Sequence, residues 1–402
     1  MRHVTPWAVL VSLTVGAGGP RPVVRPGLDV LLDDSLHLIQ GRRVGLVTNY
    51  AGVDRSGVHA VERLRSAGVQ LVALFSPEHG FRGAADPGEA VASTVDSATG
   101  LPIYSLYGRT SAPTDTMLAG IDVMLLDLPD VGSRYYTYLA TTVEVMRAAG
   151  RVRKQVLILD RPDPIGDLVQ GSMMDPAYRS SIGRVTVPMR YGMTLGELAG
   201  LARDELNIDV DLRVVPVSGW RRRDDVLTTG LPFLAPSPNL KDPESLFHYA
   251  GTCLFEGTAL SVGRGTDAPF SQIGAPWLEP DRVIAQARRA GLPGVTLAAA
   301  TFRPERPGDG KFPGQQVPAI RFKLTDPRRY DPTRTAVVLL TTLQALYPDK
   351  LGFTAPHFDR LAGGPRVREM VLKGASARLI VAGWAADLVK FRERRKPFLL
   401  YR

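Results

Sequence analysis

Short apolar runs alternate with amphipathic stretches along the first part of the chain. Such runs are typical of strands covered on both faces, and they predict strands at residues 43–49, 71–75, 122–126 and 155–159. Residues 58–67 carry apolar side chains at helical spacing, and Ser133 is placed to cap a second helix at residues 134–149. Strands separated by helices form βαβ units. The pattern therefore predicts an α/β fold with a parallel, Rossmann-like sheet.

The alternation continues to the end of the chain. Thr194 is placed to cap a helix, and a strand is predicted at residues 211–217. The later predictions are helices at 282–290, 333–346, 367–373 and 377–392, strands at 295–302 and 317–324, and an extended tail at 397–401. Residues 231–243 are rich in proline, which favours a joint between domains or a binding loop. We predict a leader at 1–26, a Rossmann-like N-terminal domain at 27–235 and a smaller C-terminal α/β domain at 236–402.

Polar residues follow each of the four early strands. They are Asn49, then Glu78 with His79, then Asp127 with Asp130, then Asp160 with Arg161. In a doubly wound sheet these strand ends meet at one edge, and that edge is where such sheets bind ligands. One acid at a strand end is usually a turn residue or a helix cap, but several on successive strands favour a site.

Several classes of site are disfavoured by what the sequence lacks. The turn after the first strand has no GxGxxG pattern, and the chain has no GxxxxGK[ST] pattern, so dinucleotide and P-loop sites are rejected. Cys253 is the one cysteine, which rules out an intramolecular disulfide and a cysteine-based zinc site. The six histidines show no metal-ligand spacing. We predict no cofactor and no metal, although a site built from carboxylates alone stays open.

The charge balance suggests the kind of partner. The 402 residues carry a net charge of +9, which favours an anionic polymer, a membrane surface or an acidic substrate. The basic residues are spread along the chain, so nucleic-acid binding is disfavoured.

The N-terminus resembles a secretory signal peptide. Basic Arg2 and His3 precede an apolar run at residues 7–15 and small residues at 16–19. The run is short for a membrane span and no lipoprotein cysteine follows, so we expect a secreted or envelope protein without a stable membrane anchor. A mis-assigned start or an apolar N-terminal arm is the alternative.

Six motifs occur in order along the chain. They are residues 76–83 (SPEHGFRG), 127–138 (DLPDVGSRYYTY), 160–164 (DRPDP), 236–239 (PSPN), 256–258 (EGT) and 261–266 (SVGRGT). Together they resemble the exo-β-N-acetylmuramidase family typified by NamZ. The resemblance implies a cleft between the two domains and release of terminal N-acetylmuramic acid from peptidoglycan fragments. Leu128 and Pro129 depart from the family pattern, which often has glutamine there.

The resemblance gives the acidic residues candidate roles. Hydrolysis of a glycosidic bond usually needs an acid for the leaving oxygen and a second group on the other face of the sugar. Glu78 is our candidate general acid, and its alternative role is a turn cap or an ion pair with Arg82. Asp127, Asp130 and Glu256 are the candidates for the second group. His79 either orients Glu78, binds a hydroxyl group or is structural.

Muramic acid carries a lactyl carboxylate, so a selective site should hold a cation. The motifs supply Arg82, Arg134, Arg161 and Arg264, and we rank Arg264 and Arg134 first. A salt bridge to a nearby aspartate is the alternative for each. The remaining candidate substrate contacts are Asn49, His79, Asp130, Tyr136 and Asn239.

Two other functions compete with a glycosidase. A non-catalytic binding protein for cell-wall sugars suits the two-domain cleft and the secretory N-terminus equally. An amidase or deacetylase usually needs a metal or an activated nucleophile, which the sequence does not indicate.

Overall fold

A seven-stranded, mostly parallel sheet organises the first half of the protein in the computed structural model, which describes residues 22–82, 89 and 92–402. The strands in chain order are β1 (Arg43–Thr48), β2 (Gln70–Ser76), β3 (Thr94–Val95), β4 (Pro102–Ser105), β5 (Val123–Asp127), β6 (Gln155–Leu159), β7 (Gln170–Met173), β8 (Pro188–Arg190), β9 (Leu212–Val215), β10 (Gln272–Gly274), β11 (Val295–Phe302) and β12 (Val317–Leu324). The large sheet has the order β3-β4-β2-β1-β5-β6-β9, and only β3 pairs in the antiparallel sense. The α/β fold and the Rossmann-like sheet are confirmed.

The second half is built on a smaller sheet. Its antiparallel order is β10-β12-β11, and β7 and β8 form a separate two-stranded ribbon. Strands β11 and β12 have the predicted bounds. Their sequences read as strands because β-branched and apolar residues recur at alternate positions, as in Val295 and Leu297.

Helices cover both sheets. They are α1 (Gly27–Asp34), α2 (Ala60–Ser66), α3 (Asp115–Leu118), α4 (Tyr138–Arg151), α5 (Leu195–Glu205), α6 (Pro243–Thr252), α7 (Pro280–Arg288), α8 (Pro332–Leu346), α9 (Ala355–Ala362), α10 (Arg366–Leu372), α11 (Ala377–Ala382) and α12 (Ala385–Arg395). Thr194 caps α5 as predicted, in a full capping box with Glu197. Within the described ranges, no helix has the length and apolar content needed to cross a bilayer.

Two helix predictions are wrong in detail. Helix α4 begins at Tyr138, and Ser133 does not cap it. The backbone N–H of Arg134 instead donates to the Met189 carbonyl over 3.0 Å, which holds this segment in a turn against β8. The helix predicted at 377–392 is two helices, α11 and α12, separated at Gly383 and Trp384. The predicted leader lies almost wholly outside the described residues.

One large apolar core joins the two halves. It contains residues of β5, β6 and α4 together with residues of α6, α8 and β12. A second core packs on the other face of the large sheet, beneath α1 and α2. The halves are thus packed against each other across the carboxyl ends of the parallel strands, which is where ligands of such sheets bind. The division at residues 235 and 236 stays a prediction.

Candidate active site

A cavity of about 150 Å³ lies between the two halves, next to the carboxyl end of β2. The N-terminal half contributes Glu78, His79 and several hydroxyl groups. The C-terminal half contributes Glu256, Arg264 and His357. The walls of this Glu78 cavity include Glu78, His79, Tyr107, Tyr136, Thr137, Tyr249, Cys253, Glu256, Arg264 and His357. The structure therefore brings together five of the predicted site residues, Glu78, His79, Tyr136, Glu256 and Arg264.

The Glu78 side chain is buried and is hydrogen-bonded by the residue that precedes α4. The Thr137 hydroxyl donates to Glu78 Oε2 over 2.7 Å, and the Tyr138 hydroxyl lies 3.3 Å from the Glu78 backbone carbonyl. Only 8% of Glu78 is exposed. A carboxyl group fixed in this way on a cavity wall is placed to exchange a proton with a bound ligand.

The backbone turn after Pro77 brings two consecutive side chains to the same cavity. His79 has a φ of 71° and Gly80 has a φ of 75°, and the Gly80 N–H donates to the Pro77 carbonyl over 3.1 Å. The left-handed conformation is unfavourable for a residue with a side chain, and such residues cluster at functional sites. The turn explains how both Glu78 and His79 line the cavity.

Tyrosines surround Glu78. Burial raises the pKa of Tyr107 to about 12, and the charge of Glu78 and a hydrogen bond to its side chain add to the effect. The phenol stays protonated at neutral pH and serves as a donor beside the carboxylate. The Tyr136 hydroxyl donates to the Pro236 carbonyl over 2.6 Å, which fixes the start of the 236–239 motif beside the cavity.

Glu256 and Arg264 form an ion pair on the C-terminal wall. Arg264 Nε lies 2.5 Å from Glu256 Oε1, and the guanidinium stacks 5.0 Å from the ring centre of Phe270. Arg264 Nη1 is buried and has no hydrogen-bond partner among the described residues. Arg264 therefore retains a donor for an anionic or carbonyl group of a ligand.

The groups beside Glu256 are neutral apart from Arg264 and the Lys311 ammonium, which bonds to the backbone. Cys253 Sγ lies 3.6 Å from Glu256 Oε2, and burial raises the pKa of this thiol well above its ordinary value. Burial also lowers the pKa of His357, so its imidazole is uncharged at neutral pH. Arg264 thus supplies the ion-pair partner of the Glu256 carboxylate.

Asp127 lies in a different environment from Glu256. Its fully buried carboxylate accepts from Arg161 Nε and Nη2 over 2.7 and 2.9 Å, and Arg161 Nη2 also donates to the Val53 carbonyl. Arg161 and Asp130 line a separate cavity of about 100 Å³ whose walls are mostly proline and aliphatic side chains. The predicted residues therefore divide between two places.

Asn49 and Asp130 are buried and bonded to the protein. Asn49 Nδ2 donates to the Tyr138 hydroxyl over 2.8 Å, and its Oδ1 accepts from the Ala51 backbone. Asp130 accepts from the Tyr191 hydroxyl, and burial raises the pKa of its carboxyl group. These contacts make both residues supports for the loops at the sheet edge.

Arg134 has its guanidinium bonded to backbone. Its Nη1 donates to the carbonyls of Ser172 and Val187 over 2.7 and 2.9 Å, and its Nη2 donates to that of Leu361 over 2.7 Å. The side chain is buried, and burial lowers its pKa to about 10. Arg134 therefore connects the two halves of the protein. Of the two arginines ranked first as carboxylate contacts, Arg264 is the one that lines the cavity.

Two further predicted contacts lie at the periphery. The Arg82 side chain is 70% exposed and pairs with Asp96 over 3.3 Å. Asn239 is half-buried between Ser237 and Leu240, both of which line the Glu78 cavity.

Some wall residues carried no usable sequence signal. Tyr107 lies just after β4, and Tyr249 and His357 lie in α6 and α9, which the sequence did not reveal. Thr137 stands inside a motif, but its bond to Glu78 depends on where α4 begins. Among the described residues, no group of three or more histidine, cysteine or acidic side chains is arranged to hold a metal ion.

Sequence models of two adjoining domains match this chain. "Exo-beta-N-acetylmuramidase NamZ, N-terminal" matches residues 44–244, and "Exo-beta-N-acetylmuramidase NamZ, C-terminal" matches residues 247–401. The chain belongs to the NamZ family. The resemblance indicated by the six motifs is confirmed. The Glu78 cavity lies between residues matched by the N-terminal model and residues matched by the C-terminal model.

Individual NamZ relatives match over nearly their whole length. The peptidoglycan beta-N-acetylmuramidase NamZ of Bacillus subtilis (strain 168) is 40% identical over 384 residues, which are 95% of this chain and 92% of that protein. Crystal structures of two DUF1343 family proteins from Bacteroides fragilis NCTC 9343 each cover 95% of this chain and 100% and 99% of their own. Their TM-scores are 0.87 and 0.75, at 32% and 31% identity.

Proposed function

We propose that this protein is an exo-acting β-N-acetylmuramidase, a glycoside hydrolase that removes terminal N-acetylmuramic acid from the non-reducing ends of peptidoglycan fragments. Membership of the NamZ family and the name of the Bacillus subtilis relative support this. The observation that carries the proposal is the composition of one cavity, where a fixed carboxyl group at Glu78 shares the walls with Glu256 and Arg264.

Glu78 is the proposed general acid. The leaving oxygen of the glycosidic bond must gain a proton as the bond breaks, and a positioned carboxyl group can supply it. The hydroxyl groups of Thr137 and Tyr107 form hydrogen bonds to the Glu78 carboxyl group and so fix its orientation on the cavity wall. His79 lies beside it and is the proposed contact to a sugar hydroxyl.

Glu256 is the acid that the structure favours for the second role. It lies in the same cavity as Glu78, whereas Asp127 is enclosed in its ion pair with Arg161. Glu256 also has an ion-pair partner in the same cavity, Arg264, whose Nε lies 2.5 Å from Glu256 Oε1. An ionised carboxylate in the cavity can stabilise the positive charge that develops on the sugar, or activate water.

Arg264 is the proposed contact to the lactyl carboxylate. A glucosamine residue lacks this carboxylate, so a buried cation with an unused donor distinguishes the two sugars. The charge-assisted bond formed by muramic acid would be absent with the glucosaminide, whose binding would leave the Nη1 group unpaired.

We further propose that the protein works outside the cytoplasm, in the envelope or secreted, because residues 1–26 have the pattern of a signal peptide. Expression in a host that exports it, followed by mass spectrometry of the N-terminus, tests this. Loss of the leader is the expected result, and an intact N-terminus in the cytoplasm would contradict it.

The test of the function uses nitrophenyl β-N-acetylmuramide and the matching β-N-acetylglucosaminide. We expect wild-type protein to release nitrophenol from the muramide alone, because only that sugar carries the group for Arg264. Glu78→Gln should lower kcat for the muramide about tenfold, since nitrophenolate needs less protonation than a sugar leaving group. Glu62→Gln, which changes an exposed glutamate on α2, is the matched control and should behave as wild type.

The alternative is a non-catalytic binding protein for cell-wall sugars. It predicts no release from either glycoside and tight binding of N-acetylmuramic acid by calorimetry, with equal affinity in wild type and Glu78→Gln. That combination of results would replace the hydrolase proposal.

A further inference from the structure

A lysine ammonium group lies among backbone carbonyl oxygens, one of which belongs to Glu256. Lys311 Nζ is 2.7 Å from the Leu260 carbonyl, 2.8 Å from that of Thr258, 3.1 Å from that of Glu256 and 3.5 Å from that of Phe255. Lys311 belongs to the loop of residues 303–316, which connects β11 with β12. The ammonium thus reaches one continuous turn, residues 255–260, from a distant part of the sequence.

The end of a short helix and the turn that follows it make this a favourable place for a cation. A 3-10 helix spans Cys253–Gly257, and the carbonyls at the end of a helix have no partner within it. Two of the four carbonyls around Lys311, those of Phe255 and Glu256, belong to this helix end, where a positive group is favourable; the other two, of Thr258 and Leu260, follow it in the turn. An ammonium group has three donors and no acceptor, so it suits a set of carbonyl oxygens.

The same loop also contacts the far end of the segment. The Glu305 N–H donates to the Gly265 carbonyl over 3.0 Å. Gly265 has a φ of 77°, and a Cβ atom there would lie 2.8 Å from the Pro307 nitrogen, so only glycine permits this approach. The loop therefore holds residues 255–265 at both ends, and this segment carries Glu256 near one end and Arg264 at the other.

We propose that Lys311 is a positioning residue, whose ammonium group fixes the turn at 255–260 and thereby sets Glu256 and Arg264 against the substrate. The inference rests on the proposed function, through the roles given to those two residues. Lys311 itself does not touch the substrate. Removing its side chain would leave a polar space lined by carbonyl oxygens, and a small ammonium ion from solution could fill it.

The test is chemical rescue of Lys311→Ala. Propylammonium replaces the atoms that this substitution removes, and tetramethylammonium has the same charge but no N–H donor. We expect Lys311→Ala to raise KM for the muramide about tenfold, as Arg264 loses its fixed place. Propylammonium should lower the raised KM at least threefold. Tetramethylammonium at the same concentration should leave the KM unchanged. Lys373→Ala, at an exposed lysine, should match wild type with and without either ion.

Two results would overturn the proposal. One is a KM for Lys311→Ala within twofold of wild type, and the other is a raised KM on which the two ions have the same effect. If Lys311→Ala does not fold, Lys311→Arg decides. Its bulkier guanidinium should raise KM at least threefold while the Tm stays near that of wild type, and an unchanged KM would contradict the proposal.

Failure of the proposed function gives a different result. A wild-type protein that does not cleave the muramide refutes the hydrolase proposal alone. The Lys311 comparison is then made on calorimetric binding of N-acetylmuramic acid. We expect that affinity to be lost in Lys311→Ala and restored by propylammonium, and equal affinity in the two proteins would refute the positioning role.

Discussion

Two carboxylate–arginine pairs show how the same residue types acquire different roles. Asp127 and Arg161 satisfy each other through two hydrogen bonds, and the carboxylate has no exposed surface. Glu256 and Arg264 are joined through one guanidinium nitrogen, and Arg264, which lines the cavity, has a buried Nη1 with no hydrogen-bond partner in the described part of the chain. The first pair is complete within the protein, and the second pair has donor capacity for a ligand. The first is therefore a structural element and the second a candidate for chemistry.

Substitution of the two acids should separate these roles. Asp127→Asn leaves the Arg161 charge buried without its partner and should lower the free energy of unfolding by about 3 kcal/mol, with kcat close to wild type. Glu256→Gln should lower kcat/KM for the muramide at least about tenfold. It should lower the free energy of unfolding less than Asp127→Asn does. Urea unfolding and steady-state kinetics on both variants measure this. Loss of activity in Asp127→Asn without loss of stability would reverse the assignment.

The Cys253 thiol should be unreactive although it borders a cavity. Its pKa is raised by burial, so the reactive thiolate is scarce at pH 8, and only 1% of the residue is exposed. We expect a disulfide reagent to modify the native protein far more slowly than the protein in guanidinium chloride. Because the pKa is raised, the native rate should increase as the pH rises from 8 toward 10. A fast reaction at pH 7 would contradict the assigned environment.

The elements were predictable where the signal is local. Five strands of the large sheet, β1, β2, β5, β6 and β9, follow from apolar runs, and the cap of α5 follows from one hydroxyl residue at the right place. The start of α4 was not predictable, because the turn at Ser133 is held by a bond from Arg134 to β8, distant in sequence. Strand ends indicated Glu78 correctly as a cavity residue. They did not separate it from Asp127, because the ion pair of Asp127 with Arg161 and the bond of Thr137 to Glu78 join residues that are distant in sequence.

The cap of α5 should contribute to stability and not to catalysis. The Thr194 hydroxyl accepts from the Glu197 N–H and donates to the buried carboxylate of Asp160 over 2.6 Å. Thr194→Ala should lower the free energy of unfolding by about 1–2 kcal/mol, and Thr194→Ser, which keeps the hydroxyl, should lower it less. Urea denaturation gives both values. A kcat/KM that falls with Thr194→Ala in the folded protein would show an unexpected link from α5 to the site.

At the scale of the whole molecule, the site exists because the two halves share a core. One apolar cluster contains residues of both, and the Arg134 guanidinium donates to carbonyls on each side. Neither half alone holds both Glu78 and Glu256. Contacts between the halves, such as the bond from Arg134 to the Leu361 carbonyl, arise from tertiary packing and leave no pattern in the sequence.

This shared core predicts cooperative unfolding. In a variant with Trp7→Phe and Trp220→Phe, the remaining Trp277 and Trp384 report on the second half by fluorescence, and far-ultraviolet circular dichroism reports on the whole protein. We expect both signals to give one coincident thermal transition, because loss of either half exposes the core of the other. Two separated transitions would show that the halves fold independently and that the cavity can open without unfolding.

The most direct test of the account compares two leaving groups in Glu78→Gln. A general acid matters most when the leaving oxygen is a poor one, so the loss of kcat/KM should be large for a β-1,4-linked N-acetylmuramic acid–N-acetylglucosamine disaccharide. It should be much smaller for dinitrophenyl β-N-acetylmuramide, whose leaving group needs no proton. Equal losses on the two substrates, or full activity on the disaccharide, would contradict the role of Glu78 as the acid.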